Sequence, residues 1–325
     1  MIYSALRWVA GIALHWFYRD IRIVRADRIP QSGPLLIAVN HQNALVDSLI
    51  VGWLMPRRVT MTAKATLSEN PFISQLFRMI HVVPLRRRSD ELQNGSLLPF
   101  SRSSNAEAFR EILDVLHQGS AVLIFPEGKS HNETGLEPLK TGLARLALQA
   151  RDEIKLSGLR ILPVCLVFEE KGVPGTVAAA YIAEPIEMDS WPNDDRLSLT
   201  AEIADRIRAV SELGLPPERS GTAERRRNTI RETIISCAAW WGRTTHQLPI
   251  RLARSIAVRQ STSADQPAML TIIFGIGLVL LTYAVHLTIV GVVTHSVWID
   301  GFYLAGLLSG AYWAAFQRHP RCDQS

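Results

Sequence analysis

His41 and Asp47 stand six positions apart in "VNHQNALVDSL", directly after the apolar run "PLLIAV" at 34–39. A carboxylate on one imidazole nitrogen fixes the tautomer and leaves the other nitrogen able to take a proton. The same two residue types also suit half a metal site or the ordinary start of a helix. Six helical residues turn through about 240°, so the side chains meet only if the chain bends around Gln42 and Asn43 before a helix begins.

Three further clusters carry groups that bind anions. "FPEGKSHNETG" (125–135) offers Glu127, Gly128, Lys129 and Ser130 after an apolar run. Gly128 permits close backbone approach, and Lys129 and Ser130 supply donors. "RMIHVVPLRRRSD" (78–90) places Arg86, Arg87 and Arg88 after another such run, and Lys64 follows a third in "MTAKATL". Arginine suits bidentate contact with phosphate. Each cluster taken alone is equally an exposed charged turn.

The elements that must position these residues read as strands and helices in alternation. Short apolar runs at 34–39, 59–63, 81–85, 120–125, 161–168 and 176–182 suit strands covered on both faces. Helical patterns fill about 44–54, 71–79, 104–118, 139–152 and 195–213. The expected fold class is therefore α/β, a mixed sheet flanked by helices on both faces. His41, Lys64, Arg86 and Glu127 then fall at strand ends, where open α/β sheets bind ligands. The polar, Ser-rich stretch 89–104 reads as a surface loop.

Both ends of the sequence point to a membrane. Residues 268–293 hold one histidine and no Asp, Glu, Lys or Arg, and 297–317 are nearly as apolar. At 1.5 Å per residue each run can cross a bilayer core of about 30 Å. The connection "THS" makes them a two-helix transmembrane hairpin. Arginines 243, 251, 254 and 259 before it and 318 and 321 after it, with none in the turn, place both termini in the cytoplasm, at an inner membrane. His286, near mid-span, has no evident partner in the sequence. Residues 1–19 form a helix too short to span, which either lies in the interface or packs on the globular domain. The Arg-rich 216–266 reads as a basic helical connector against anionic lipid heads, with a solvated helical face as the alternative. The domains expected are thus 1–19, 20–215, 216–266 and 267–318. A net charge of +5 with no nucleic-acid motif argues against nucleic acid as partner. Cys165, Cys237 and Cys322 are too far apart for a C-x-x-C pair and suit a reducing compartment, with Cys165 as plain core.

Taken in order, "NHQNALVD", "HVVPLRR", "FPEGKSH" and "ILPVCLVF" resemble the four blocks of the glycerolipid acyltransferase superfamily, over roughly residues 20–190. The resemblance implies that His41 is the general base for the acceptor hydroxyl, that Asp47 orients it, and that the hydroxyl attacks an acyl thioester directly. It implies that Arg87, with Arg86 as rival, and Lys64 hold the acceptor's phosphate. Glu127 and Gly128 would help form the acceptor pocket, and Pro163, Ile161 and Leu166 would border the acyl donor. No cofactor is implied beyond acyl-CoA or acyl-carrier protein as co-substrate, and no metal. The absence of a G-x-S-x-G elbow agrees with direct transfer.

Two departures from the family pattern carry information. His41 and Asp47 have five residues between them, one more than the block usually carries, and Glu127-Gly128 continues Lys129-Ser130-His131 rather than Thr-Arg. Both resemble the branch of glycerol-3-phosphate and dihydroxyacetone-phosphate acyltransferases, and leave the usual arginine's phosphate role to Lys129 or Lys140. The expected reaction is acyl transfer to glycerol-3-phosphate or 1-acylglycerol-3-phosphate in phospholipid synthesis. Dihydroxyacetone phosphate, another lysophospholipid, or water in a thioesterase are the alternative acceptors. A metal hydrolase would need further ligands at spacings such as H-x-H, which the sequence lacks, and a non-catalytic scaffold would not need both His41 and Asp47.

Overall fold

A computed structural model of the chain describes residues 2–65, 74–75, 77–78, 81–85, 106–131, 135–192, 194–215, 229–261 and 266–316. The chain starts with helix α1 (Ile2–Phe17) and strand β1 (Asp20–Val24). Next come β2 (Leu35–Val39), α2 (Ala44–Leu54), β3 (Val59–Lys64) and β4 (Val82–Leu85). They are followed by α3 (Ala106–His117), β5 (Ala121–Ile124), α4 (Gly142–Asp152), β6 (Arg160–Phe168), β7 (Val177–Ile182), the short β8 (Ile186–Glu187) and α5 (Arg196–Ser211). Three long helices complete the described chain: α6 (Thr229–Gln260), α7 (Gln266–Thr294) and α8 (Val297–Phe316).

The strands form one mixed sheet in the order β1-β7-β6-β2-β5-β3-β4, with β8 pairing β6 off this path. β6, β2, β5, β3 and β4 run parallel, β7 is antiparallel to β6, and β1 runs parallel to β7. Alternate side chains point to opposite faces, and both faces are buried. In β2, Leu36 and Ala38 join a core with Ile112, Leu116, Leu143, Ala147, Ile203 and Ile207 of α3, α4 and α5. Leu35, Ile37 and Val39 join the opposite core with Leu14, Phe17, Val46, Ile50 and Ile272 of α1, α2 and α7. Truncating a fully buried residue such as Ile37 to Ala removes about 2–5 kcal/mol. Cys165 is plain core, and burial, helped by the charge of Glu127, pushes its thiol up to about 12.

All six apolar runs of the sequence become strands. β1 was not among them. Its Ile21 and Ile23 alternate with Arg22, and it pairs with a strand more than 150 residues away, which no local pattern reports.

Of the two readings open for the N-terminal helix, packing is what the fold contains. Arg7 Nη2 donates to Trp53 O at 2.9 Å and to Met55 O at 2.6 Å, satisfying carbonyls at the end of α2. A Cβ on Gly11 would come within 2.3 Å of the Trp53 ring, so α1 approaches α2 closely. The Trp8 ring stacks on Tyr312 of α8. Residues 229–260 of the expected connector form a single helix, α6, which packs along α7 and α8. Gly242 and Gly310 bring α6 and α8 into backbone contact. His286 finds a partner on the adjacent helix, Tyr303, at 3.1 Å. Among the described residues one helix, α7, is long and apolar enough to cross a membrane.

Candidate active site

The parallel register of β2 and β5 brings the site together. Ala38 lies opposite Ile124, so the residues leaving both strands at their carboxyl ends, 40–43 and 125–131, must meet. Asn40 anchors the first turn by exchanging two hydrogen bonds with Leu166 of β6, Nδ2 to O at 2.9 Å and N to Oδ1 at 2.7 Å. The chain then bends through His41 and Gln42 as the sequence requires. Ala44 takes a left-handed φ of 44° at the start of α2, a conformation costly for a residue with a Cβ.

That bend carries Asp47 back onto the imidazole. His41 Nδ1 lies 2.9 Å from Asp47 Oδ2, and the same oxygen accepts the Asn43 amide at 2.8 Å. Asp47 is wholly buried in the first turn of α2, where a negative charge is favoured. With Nδ1 donating to the carboxylate, the proton-accepting lone pair sits on Nε2. The ring stacks on Phe125 with centroids 3.9 Å apart and planes 14° from parallel, which fixes its tilt.

Glu127 secures the same histidine from the other side. Its Oε1 accepts the His41 amide at 2.6 Å, and its Oε2 accepts the Glu137 amide at 2.9 Å and pairs with His131 Nε2. The His131 amide in turn donates to His41 O at 3.2 Å. Both carboxylate oxygens of Glu127 are therefore taken by protein groups. The side chain itself is fully buried.

A third layer sits behind Asn43. Its Nδ2 donates to Tyr18 OH at 2.8 Å and to Lys171 O at 2.9 Å, while the Tyr18 hydroxyl donates to Lys171 O at 3.0 Å. Burial and then the charge of Asp47 hold the Tyr18 phenol well above its ordinary range, partly offset by the Asn43 bond, so it stays a neutral donor. Lys171 Nζ reaches His131 O at 3.0 Å. Sequence reasoning missed Tyr18, Asn43, His131 and Lys171 as parts of the site. Only the i,i+4 spacing of Glu127 and His131 was a local signal for any of them.

The remaining expected residues are placed as follows. Gly128 adopts φ 80°, and its backbone turn is closed by its amide on Phe125 O at 3.1 Å. Lys129 is 64% exposed and 3.5 Å from Glu137, and Ser130 follows on the same turn. Lys140 is drawn to this turn by its amide on Pro126 O at 2.7 Å. Lys64 ends β3 opposite Leu85 of β4, at the same carboxyl edge of the sheet. Arg86 and Arg87, which follow Leu85, lie outside the described residues, as do the 89–104 stretch and most of 71–79. Pro163 is in β6 beside Ala38 of β2, and Ile161 and Leu166 are buried. Among the described residues no group of three or more His, Cys, Asp or Glu side chains could hold a metal ion.

Chemically, the arrangement is a buried carboxylate, an oriented imidazole and an exposed cationic turn at one sheet edge. An imidazole so held can take a proton from a hydroxyl placed at its Nε2.

The family model described as Acyltransferase matches residues 20–167. An uncharacterized acyltransferase of Schizosaccharomyces pombe is 23% identical over 239 residues, covering 50% of this chain and 35% of that protein. Glycerol-3-phosphate O-acyltransferase 1 of Saccharomyces cerevisiae is 22% identical over 265 residues, covering 58% and 35%. The 1-acyl-sn-glycerol-3-phosphate acyltransferase of Cocos nucifera is 24% identical over 189 residues, covering 57% and 56%. The chain thus spans about a third of the length of these fungal relatives. The crystal structure of the 1-acyl-sn-glycerophosphate acyltransferase of Thermotoga maritima superposes with a TM-score of 0.50 at 18% identity, covering 66% of this chain and 82% of that one, a likeness of fold.

Proposed function

We propose, from the match of residues 20–167 to the acyltransferase family model, that the protein transfers an acyl group from a thioester to a glycerol-phosphate hydroxyl. The observation that carries this reading is the 2.9 Å contact of His41 Nδ1 with the buried Asp47 carboxylate. His41 Nε2 takes the proton of the acceptor hydroxyl as its oxygen bonds to the thioester carbonyl carbon. The tetrahedral oxyanion then collapses, the C–S bond breaks, and the leaving thiolate takes the proton from the imidazolium, which restores the neutral base. No covalent acyl-enzyme forms. Asp47 keeps the tautomer and stabilises the transient imidazolium.

The acceptor is glycerol-3-phosphate or 1-acylglycerol-3-phosphate, and the donor is acyl-CoA or acyl-carrier protein. Lys64, Arg86, Arg87, Lys129 and Ser130 contact the phosphate, and Gly128 lets the backbone approach it. The relatives named for both acceptors support this substrate class.

The setting is a membrane. α7 and α8 form a hairpin across the bilayer, α1 and α6 pack against it, and the α/β domain faces the cytoplasm. Only 17% of the most apolar stretch of α7 is buried. Leu280, Val285, Ile289 and Val293 are exposed, which suits a lipid-facing helix and not the core of a soluble protein.

Membranes carrying the wild-type protein or His41→Ala, given labelled palmitoyl-CoA or palmitoyl-acyl-carrier protein and each acceptor in turn with water as control, test the reaction. The expected result is His41-dependent label in a phosphorylated glycerolipid. Label only in free fatty acid would make the enzyme a thioesterase. Absence of label with both thioester donors would refute the transfer reading.

A further inference from the structure

Between α1 and the helices α6, α7 and α8 lies a cavity of about 160 Å³. Its walls include Val9 and Ile12 of α1, Ile250 of α6, and Ile272 and Val279 of α7. Phe17, Thr271 and His246 close its inner end and are buried, whereas Trp8, Ile276, Leu280 and Leu308 form an exposed rim. Every lining residue lies outside the matched residues 20–167, and neither His41 nor Asp47 is in its wall.

Four lining residues are polar, His246, Arg254, Thr271 and Tyr283, and Arg254 Nη2 donates to Trp16 O at 3.3 Å. His246 Nδ1 donates to Gly242 O at 2.8 Å, which leaves Nε2 to accept the Tyr283 hydroxyl at 2.6 Å. The other fourteen lining residues are apolar or glycine, and an apolar space of about 150 Å³ accepts a hydrocarbon the size of benzene. This cavity therefore takes a run of about six carbons. The exposed apolar rim lets a longer chain continue outward along α7.

We propose that the cavity seats one acyl chain of a bilayer glycerolipid, held between α1 and the C-terminal helices. This rests on the reading of α7 as lipid-facing, since that reading makes hydrocarbon the surrounding medium at the rim. Occupancy is independent of acyl transfer.

The test uses the intact protein in phosphatidylcholine nanodiscs containing a trace of phosphatidylcholine with a diazirine at one chain end. After irradiation, label is expected on peptides 8–17 and 271–283 at least fivefold above that on 289–299. Gly275 lines the cavity, and a Cβ there would meet only Ala253 Cβ, at 4.0 Å, so a larger side chain can grow into the space. Gly275→Leu is expected to cut cavity labelling at least fivefold, and Gly275→Ala to leave it within twofold. Ala311→Leu fills the cavity from α8 and serves if Gly275→Leu is not recovered. His41→Ala should label like the wild type. Equal label on both regions, or cavity label unmoved by the filled variants, overturns the proposal. A protein that stays monodisperse without detergent or lipid overturns the membrane reading instead, and the lipid source with it, while leaving acyl transfer to its own assay.

Discussion

Glu127 holds His41 by its main chain, not by its ring: Oε1 accepts the His41 amide at 2.6 Å while Oε2 is shared by His131 and the Glu137 amide. The base is thus located by one carboxylate and oriented by another. Glu127→Gln keeps the shape but turns one acceptor into a donor facing N–H groups. We expect kcat to fall at least tenfold with the acceptor KM little changed, and stability to drop by about 1–3 kcal/mol. Steady-state kinetics and thermal unfolding read the two effects. A rise confined to the acceptor KM would mean that Glu127 touches substrate.

His41→Ala removes the base and should lower kcat by about 10²–10⁴-fold without loss of membrane insertion. Asp47→Asn, which leaves the side chain's volume intact, is expected to fall in the same range because the amide disturbs the tautomer. Thiol release from palmitoyl-CoA measures both. Equal rates for Asp47→Asn and wild type would remove Asp47 from the mechanism.

Ala44, at φ 44°, bears the strain of the turn that returns Asp47 to the ring. Ala44→Gly should stabilise the protein by about 1 kcal/mol, since glycine adopts this conformation without the Cβ clash. Ala44→Val should destabilise it and lower kcat together. Chemical denaturation of the pair decides whether the strain is real.

Arg87→Ala and Lys129→Ala should raise the acceptor KM with kcat within about twofold, because they remove binding remote from the reacting carbonyl. A hydrogen bond to a charged group contributes about 1.5–3 kcal/mol, so each KM should rise by roughly ten- to hundredfold. An unchanged KM for Arg87→Ala would move the role to Arg86 or Lys64.

A Cβ on Gly242 would lie 1.9 Å from Gly310 O, so α6 and α8 touch backbone to backbone. Gly242→Val must push the helices apart at a cost of about 1–3 kcal/mol or more. The expected reading is a lower unfolding temperature in detergent. An unchanged temperature would mean the contact is not formed.

The strands β2, β5 and β6 were legible because continuous apolar runs are a local signal, whereas the His41–Asp47 spacing left several readings open and gained its role only from the resemblance of the surrounding block. Glu127 was visible as a residue but not as a clamp, because its partner His41 lies 86 positions away and is reached only through parallel pairing of β2 and β5. Tyr18 and Lys171 were invisible for the same reason, being brought to Asn43 by the folding of distant segments. β1 escaped notice because a five-residue edge strand pairing with β7 has no local signature. α6 looked like a surface connector by its arginines, yet its small residues such as Gly242 pack it into the bundle.

The pairing of β1 with β7 also has a consequence in time. Val24 leaves the ribosome roughly 150 residues before Val177, the first residue of its partner strand. At synthesis rates of about 5–20 residues per second, β1 waits about 8–30 s for an edge to join. Throughout that interval α1, with Ile2, Leu6 and Trp8 on its outer side, has neither β7 nor α8 to cover it. The nascent chain therefore presents an apolar helix to whatever surface is nearest well before its own C-terminal helices exist.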